Sequence, residues 1–441
     1  MQRGVVRQTI ERYFGFAEHG TTWAREVLGG ATTFVTMAYI IVVNPAILAS
    51  AGLPREASIT ATILVAAAGS LGMGVYARRP FGVAPLMGEN AFVAVTVIAV
   101  LGEPWPVALG AVFWSGVVFA VLTLSGVRPY LAESIPNSLK HAMATGIGLF
   151  LAFVGMTTSG LVVASSTGPP VRFGDLRDPA VALAAIGFLF LCVLVVRRVP
   201  GALIVGILIM TAASVPFGLA AWPAQLVAWP ASLEPIAGKL DLWGALQIRV
   251  WPVVLTIFVM VFVDTLATLY GLAIRARLLD ARGRLPDIQR PMLVDALATS
   301  LAALLGTTTA GAYVESASGI AAGGRTGVVA VVVGLLFCAS LFVWPVVAAI
   351  PKHAYGPALI IVGLLMLEAV RGIEFDDWTE LVPAFVTIVF MIFTFHLGIG
   401  MMAGFVTAPL IKLAAGRHHE VPPGLWFLAA GSIAFFAFAP H

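Results

Sequence analysis

The sequence predicts an all-α protein that crosses a membrane many times. Hydrophobic residues make up 60% of the 441 residues and charged residues only 11%, whereas soluble domains carry about a quarter charged residues. Apolar runs of helical length recur along the whole chain, as expected for bilayer-spanning helices. These observations argue against a soluble protein, and membrane topology explains the net charge of +3 better than nucleic-acid binding does.

Fourteen candidate spans follow one another in two sets of seven. Their first residues lie near positions 27, 57, 83, 104, 140, 180, 201, 252, 288, 311, 324, 357, 380 and 398. A polar stretch from about 221 to 250 separates a first repeat at about 20–220 (spans 1–7) from a second repeat at about 250–415 (spans 8–14). A further apolar run at 425–440 is short, and the sequence allows it to be an extra span or a surface segment.

The positions of the basic residues test this count of spans. If the N-terminus is cytoplasmic, most of the 25 Lys and Arg residues fall in segments on the cytoplasmic side, as the positive-inside rule requires. We therefore expect a multi-pass protein of the inner (plasma) membrane with its N-terminus in the cytoplasm.

Two short matches relate the halves to each other. Residues 34–39 (Phe-Val-Thr-Met-Ala-Tyr) align with residues 262–267 (Phe-Val-Asp-Thr-Leu-Ala) at an offset of 228. Residues 89–91 align with residues 315–317 at an offset of 226. Because each half holds an odd number of spans, such repeats would be inverted in the membrane, which is a common plan in transporters.

Spans 3 and 10 each open with a segment that does not look like continuous helix. Residues 81–88 contain Gly, Pro and Gly, and residues 307–313 are rich in Thr and Gly. Extended backbone at membrane depth is tolerated only where it is buried in protein or lines a cavity. We expect these two short β pieces to pair with each other, each followed by a helix whose N-terminal N–H groups point at a cavity.

Acidic residues lie inside apolar segments of the predicted spans. Asp264 is in span 8 and Glu315 in span 10, and Glu89 is in span 3. A charged side chain at the bilayer centre costs about 2.5–3.5 kcal/mol, so such residues usually mark a substrate or ion path. Desolvation favours the neutral form of a carboxyl group, which suits all three to proton coupling, with sodium as the alternative coupling ion.

The predicted pocket matches planar heterocycles that carry ring N–H groups and carbonyls. Carboxylates accept hydrogen bonds from N–H groups, backbone N–H groups donate to carbonyls, and aromatic rings stack. Thr268 lies four residues after Asp264, so both face the same side of one helix. The residues predicted to bind substrate are Asp264, Glu315, Asn90, Thr268, Phe92, Tyr313, Val314 and Glu89.

Structural roles are the alternative for some polar residues. Asn90 could cap a helix N-terminus, and Glu89 could face a water-filled vestibule or support its neighbours. Asp295 is expected to be a hydrogen-bond partner between helices rather than a ligand. Cys192 and Cys338 each lie in an apolar run, so we expect neither a disulfide nor a metal site, and no cofactor.

With these motifs, the chain resembles the nucleobase–cation symporter-2 superfamily, in its hypoxanthine/guanine/adenine (AzgA-like) permease branch. The similarity is carried by residues 11–16, 29–40, 135–140, 146–150, 264–271 and 306–327. It implies a core domain (spans 1–4 and 8–11) and a gate domain (spans 5–7 and 12–14), with substrate between them and often within a dimer. It also implies that Asp264 and Glu315 bind the base and that Asn90 corresponds to the Asn of the third span.

The chain departs from the family pattern at three positions. Val261 stands where the family commonly has a second Asp, Ala267 where it often has Gly, and Glu89 where it has a neutral residue. The resemblance implies a purine nucleobase permease that works by proton symport and alternating access.

Other functions are possible alternatives. A transporter of the same fold could carry uracil, xanthine or an anion, but an anion carrier should place a cation at the half-helix N-termini, where this chain has carboxylates. An intramembrane enzyme is disfavoured because the sequence contains neither a His-Glu-x-x-His motif nor a convincing nucleophile–base pair. A channel is disfavoured because the inverted repeat favours alternating access.

Overall fold

The structure, a computed structural model, describes residues 2–125, 135–165, 170–280, 285–394 and 397–438. Helices dominate it, and nine helices within these ranges are long and apolar enough to cross a membrane. Shorter apolar helices account for predicted spans 3, 7 and 13, and the helices Gln289–Leu305 and Ser316–Ala321 lie where spans 9 and 10 were predicted. The predicted all-α fold of a multi-pass membrane protein is confirmed.

The helices are numbered here by span. In the first half they are Trp23–Met37 with Ile40–Ser50 (span 1), Arg55–Val75 (span 2), Met87–Ala91 with the π-helix Phe92–Val100 (span 3), Trp105–Ser125 (span 4), Asn137–Thr158 (span 5), Pro179–Val196 (span 6) and Ala202–Ser214 (span 7). In the second half they are Trp251–Ala276 (span 8), Gln289–Leu305 (span 9), Ser316–Ala321 (span 10), Gly327–Ser340 with Trp344–Ala348 (span 11), Lys352–Met366 (span 12), Trp378–Phe393 (span 13) and Leu397–Ala414 (span 14).

Further helices lie outside the fourteen spans. Gln2–Tyr13 and Phe16–His19 precede span 1, and 3-10 turns occur at Gly244–Leu246, Leu341–Val343, Leu367–Gly372 and His418–Glu420. The apolar run at 425–440 falls largely in a helix, Pro423–Phe438, which packs against span 14.

Four short strands are present: β1 (Val83–Pro85), β2 (Val162–Ala164), β3 (Val171–Phe173) and β4 (Ala310–Ala312). Strands β2 and β3 pair antiparallel with each other between spans 5 and 6. Strands β1 and β4 are the predicted β pieces of spans 3 and 10, and they pair antiparallel in the register Val83–Ala312, Ala84–Gly311 and Pro85–Ala310. Hydrogen bonds of 2.9 Å from Tyr313 N to Gly82 O and from Leu86 N to Thr309 O extend this pairing.

Hydroxyl groups from neighbouring helices make hydrogen bonds to the backbone N–H and C=O groups at the outer edges of the β1–β4 ladder. Ser70 Oγ of span 2 accepts from Val83 N at 2.9 Å and donates to Val83 O at 3.1 Å. Thr299 Oγ1 of span 9 does the same for Ala310, at 3.3 Å and 2.9 Å. A two-stranded ladder deep inside the protein would otherwise leave these backbone groups without partners, which is costly away from water.

The spans pack as two groups. Spans 1, 2, 4, 8, 9, 10 and 11 make their most extensive contacts with one another, and so do spans 5, 6, 7, 12, 13 and 14. Glycines allow close helix crossings within each group: an added Cβ at Gly29 of span 1 would lie 2.9 Å from Gly319 O. One at Gly155 of span 5 would lie 2.8 Å from Gly356 O of span 12. Span 3 contacts both groups, through spans 1 and 5 among others.

Candidate functional site

The side chains of Asp264 and Glu315 converge, although they come from different spans. Their carboxyl groups are close enough to interact electrostatically, and Asp264 interacts in the same way with Glu89. Asp264 lies at the middle of span 8 and is partly exposed. Within the described chain no protein group makes a hydrogen bond to its carboxyl oxygens, so they are available to a ligand.

Glu315 is held at the start of the helix of span 10. It occupies the N-cap position of Ser316–Ala321 and is partly exposed. Its Oε1 accepts a hydrogen bond of 2.6 Å from the hydroxyl of Tyr39, which lies where the helix of span 1 is interrupted between Met37 and Ile40. The Glu315 carboxylate is therefore fixed on one side by the protein and accessible on the other.

Glu89 is more deeply buried than these two acids. It lies in the short helix Met87–Ala91, is only 3% exposed, and its Oε1 has no hydrogen-bond partner among the described residues. Neither Glu89, Asp264 nor Glu315 takes part in an ion pair in the described ranges. The site is thus rich in carboxyl groups without a compensating cation.

Asn90 is fully buried in a network of amides and hydroxyls. Its Nδ2 donates to Asn44 Oδ1, and its Oδ1 accepts from Thr308 Oγ1. Asn44 Nδ2 in turn donates to Thr62 Oγ1 at 2.7 Å and to Thr307 Oγ1 at 2.9 Å. Asn90 lies inside the helix Met87–Ala91, whose N-cap is Leu86, so it is not the helix cap that the sequence allowed. Its amide joins spans 1, 3 and 10 rather than reaching an open surface.

The other predicted site residues differ in how accessible they are. Phe92 is fully buried in the apolar core, and Tyr313 is buried with its hydroxyl donating to Pro85 O. Val314 is 60% exposed and Thr268 is partly exposed. Thr268 and Val314 are therefore accessible, whereas both aromatic rings are covered by the protein.

Asp295 has the structural role that its sequence context predicted. It is fully buried, and its Oδ2 accepts from Ala312 N at 3.1 Å and from Thr265 Oγ1 at 3.2 Å. This carboxyl group thus connects span 9 to β4 and to span 8, where its partner Thr265 directly follows Asp264.

Several residues that shape the site were not singled out from the sequence. Tyr39, Asn44, Ser70, Thr299 and Thr308 support the acids or the strands. Tyr39 ends one of the two matched repeat segments, and Asn44 is a polar residue in an apolar run before Pro45. Those signals could have found two of the five.

The face of span 8 that carries Asp264 is accessible on one side only. Thr268, Gly271 and Arg275, which follow Asp264 on this face, are partly or fully exposed. Ile257 and Met260, which precede it on the same face, are buried. On this face, the exposed residues therefore run from Asp264 towards Arg275, whereas the residues towards Trp251 are buried.

The sequence matches the family model described as Permease family, that of the xanthine/uracil permeases, over residues 24–407. It is 37% identical to the adenine permease AdeQ of Escherichia coli (strain K12), over 94% of this chain and 93% of that protein. It is also 37% identical to the guanine/hypoxanthine permease PbuG of Bacillus subtilis (strain 168), over 97% of this chain and 100% of that protein.

Solved structures share the architecture. The transmembrane domain of the cyanobacterial bicarbonate transporter BicA superposes with a TM-score of 0.63 at 15% sequence identity, covering 86% of this chain and 96% of that one. This likeness concerns the fold alone, and it confirms the predicted seven-plus-seven inverted repeat.

Proposed function

Because the chain belongs to the family of xanthine/uracil permeases, we propose that it carries purine nucleobases (hypoxanthine, guanine or adenine) across the membrane. Membership of a permease family makes it a transporter and not an enzyme. Two of its relatives are named for adenine and for guanine/hypoxanthine, and both align with almost the whole chain.

The observation that supports this substrate class best is the pair of converging acids. Asp264 and Glu315 offer carboxyl oxygens on an accessible face, and Asp264 has no protein hydrogen-bond partner within the described ranges. A purine base supplies ring N–H and amino donors that pair with such oxygens, and its carbonyl or ring nitrogen can accept from backbone N–H groups. Thr268 and Val314 border the same space, and Tyr313, Phe92 and Asn90 support it from behind.

An anion is a poorer fit to this site. Anions are bound by Lys, Arg or helix N-termini free of negative charge. Here Glu315 occupies the N-cap of one half-helix and Glu89 lies in the first turn of the other. The fold shared with bicarbonate transporters therefore does not carry their substrate over to this chain.

Coupling is proposed to use protons, carried by Asp264, Glu315 or Glu89. Whether a carboxyl group removed from water carries a proton depends on the charges and hydrogen bonds around it. Substrate binding changes those surroundings and is thereby linked to protonation. Within the described residues no cluster of His, Cys, Asp or Glu has the arrangement of a metal site.

Transport is proposed to proceed by alternating access between the two groups of spans. Spans 1–4 and 8–11 would form a core that moves against a gate of spans 5–7 and 12–14, within a homodimer in the inner membrane. The one-sided exposure of the Asp264 face supports this mechanism, because an alternating-access transporter opens its site to one side at a time. With the N-terminus in the cytoplasm, the exposed side is the cytoplasmic one.

Uptake of radiolabelled hypoxanthine tests this function. Unlabelled adenine, guanine, xanthine and uracil would compete in turn, with and without a protonophore. We expect competition by purines and loss of accumulation with the protonophore. Asp264→Asn should abolish uptake and Glu315→Gln should reduce it strongly while both proteins still reach the membrane. Glu56→Gln, which changes an exposed acid at the start of span 2, is the matched control.

Other outcomes would redirect the proposal. Normal uptake by both acid variants would show that the binding site is elsewhere. Uptake of bicarbonate or sulfate with purines inert would favour an anion carrier. Dependence on sodium rather than on the proton gradient would change the coupling ion only.

A further inference from the structure

We propose that Tyr39 is a positioning residue that fixes the carboxylate of Glu315 for substrate binding. The inference rests on the proposed function, because it assigns a role within that binding site. Tyr39 does not belong to the predicted ligand set, and it lies in span 1, far in sequence from the acid that it contacts.

The geometry makes this hydrogen bond the only polar contact seen for the Tyr39 side chain in the described chain. The ring is 0% exposed, and its hydroxyl donates to Glu315 Oε1 at 2.6 Å. A buried tyrosine hydroxyl usually has a partner, and a hydrogen bond to a charged acceptor is about twice as strong as one between neutral groups. The interrupted helix of span 1, between Met37 and Ile40, places the ring at the level of the acid.

The bond would reduce the entropic cost of binding. A glutamate side chain that is free to rotate loses rotamer freedom when it is immobilised, at a cost of about 0.5–1.5 kcal/mol. Because Tyr39 already holds one carboxyl oxygen, Glu315 meets the substrate in a fixed orientation. Backbone constraint at the N-cap of Ser316–Ala321 fixes only the Cα, so the orientation of the carboxylate depends on the tyrosine hydroxyl.

The internal repeat shows why a tyrosine occurs here and not at the equivalent position. Tyr39 aligns with Ala267 in the second repeat, and Thr36 aligns with Asp264. In the first repeat the ring packs next to the opposing acid, to which its hydroxyl donates, whereas Ala267 is a small, exposed residue three positions after Asp264. The two halves thus contribute differently: one holds an acid in place, and the other leaves room for a ligand.

The test is a double-mutant cycle read out as KM and Vmax of purine uptake. Tyr39→Phe keeps the ring and removes only the hydroxyl, so we expect KM to rise about tenfold, as for loss of a hydrogen bond to a charged group, with Vmax within about twofold. In a Glu315→Gln background with measurable residual uptake, the same change should raise KM by less than about threefold, because the charged acceptor is gone.

Tyr313→Phe is the matched control. It removes the hydroxyl of another buried tyrosine in the site, but that hydroxyl contacts Pro85 O and not an acid. Its effect should be the same in the presence and absence of Glu315→Gln. Melting temperatures of the purified variants will show whether a loss of uptake reflects unfolding.

Two results would overturn the inference, and a third separates it from the proposed function. An unchanged KM for Tyr39→Phe would refute it. Equal effects of Tyr39→Phe with and without Glu315→Gln would show that the ring only fills space. Failure of the unaltered protein to take up purines would refute the proposed function and this inference together, whereas uptake with an unaffected Tyr39→Phe would refute the inference alone.

Discussion

Ala84 and Gly311 lie opposite each other at the centre of the β1–β4 ladder, and the contacts on either side of this pair are related by an approximate twofold axis. The bond from Tyr313 N to Gly82 O has its counterpart in the bond from Leu86 N to Thr309 O. Tyr313 and Leu86 are separated in the sequence by nearly the offset that relates the two repeat matches, and so are Thr309 and Gly82. The inverted repeat is thus present in individual hydrogen bonds at the site.

The symmetry extends to side chains and then breaks at the acids. Gly82 N donates to Ser316 Oγ at 2.9 Å, and Thr308 Oγ1 donates to Asn90 Oδ1, between residues that correspond at the repeat offset of 226. Asp264, by contrast, aligns with Thr36, whose hydroxyl lies 2.9 Å from Ser318 Oγ. Both halves keep the hydrogen bonds around β1 and β4, whereas the acid of span 8 has no acidic counterpart in span 1.

Ser70→Ala and Thr299→Ala should destabilise the protein to a similar extent. Each removes the hydroxyl that pairs both backbone groups of one strand residue, and a buried group left without a partner costs about 1–3 kcal/mol. Thermal unfolding of purified variants measures the effect. Ser340→Ala is the control, because among the described residues the hydroxyl of Ser340 donates to Phe337 O of its own helix and to no strand. A control as unstable as the two variants would contradict the role of the strand contacts.

Ala267→Phe should abolish substrate binding without unfolding the protein. Ala267 is exposed one turn after Asp264, so a large ring there would occupy the space proposed for the purine. Equilibrium binding of hypoxanthine and the melting temperature give the two readouts. Ala267→Ser, which adds a single oxygen atom, should bind nearly normally. Retention of binding by the phenylalanine variant would move the ligand away from span 8.

Cysteines placed at Thr268 and Gly271 should react with a membrane-impermeant thiol reagent from the cytoplasmic side. Both positions lie on the accessible half of the Asp264 face, whereas Ile257 and Met260 on the buried half should be protected. The background would carry Cys192→Ser and Cys338→Ser, which replace the two native thiols.

Labelling in inside-out and right-side-out vesicles distinguishes the two sides. Purine should slow the reaction at Thr268→Cys, since this residue lies four positions from Asp264. Labelling of Gly271→Cys from the outer side alone would mean that the proposed orientation is inverted.

Glu89→Gln should separate substrate binding from coupling. The substitution keeps the shape of the side chain and removes its titratable proton beside Asp264, with which Glu89 interacts electrostatically. We expect hypoxanthine binding within about threefold of normal, because Glu89 is only 3% exposed and therefore offers little surface to a ligand. Accumulation against a gradient should fall if Glu89 carries the coupling proton. Unaltered, protonophore-sensitive accumulation would restrict this role to Asp264 and Glu315.

Arg417→Ala should lower the melting temperature at neutral pH and have little effect in strong acid. Hydrogen bonds from Arg417 and Thr379 lower the pKa of Asp377 to about 2, from an ordinary value of 3.8. Because the folded pKa is depressed, the stabilisation is present above about pH 4 and is lost as the pH falls towards 2. Arg417 lies 2.7 Å from Asp377 and from Glu420.

Melting curves of Arg417→Ala and the unaltered protein across this pH range measure the difference. Arg371→Ala, at a site without an ion pair in the described ranges, should be neutral throughout. A destabilisation by Arg417→Ala that is independent of pH would mean that the guanidinium acts by packing and not through the carboxylates.

The sequence alone determined the class of protein, the predicted spans and the acids that lie inside them. Long apolar runs and isolated carboxylates carry this information because the bilayer penalises charge and unpaired backbone whatever the neighbouring spans are. The interruptions by Gly, Pro and Thr at residues 81–88 and 307–313 likewise predicted the β pieces, since their backbone needs are local.

Only the tertiary structure decided which atoms those residues meet. The register of β1 against β4, the bond from Tyr39 to Glu315 and the burial of Asn90 by Asn44 and Thr308 join segments that are distant in the chain. A helical period predicts which side a residue faces, but the rotation and depth of each span are set by packing against its neighbours. For that reason Asn90 was expected among the ligands from its position in the sequence, whereas its contacts give it a supporting place in the fold.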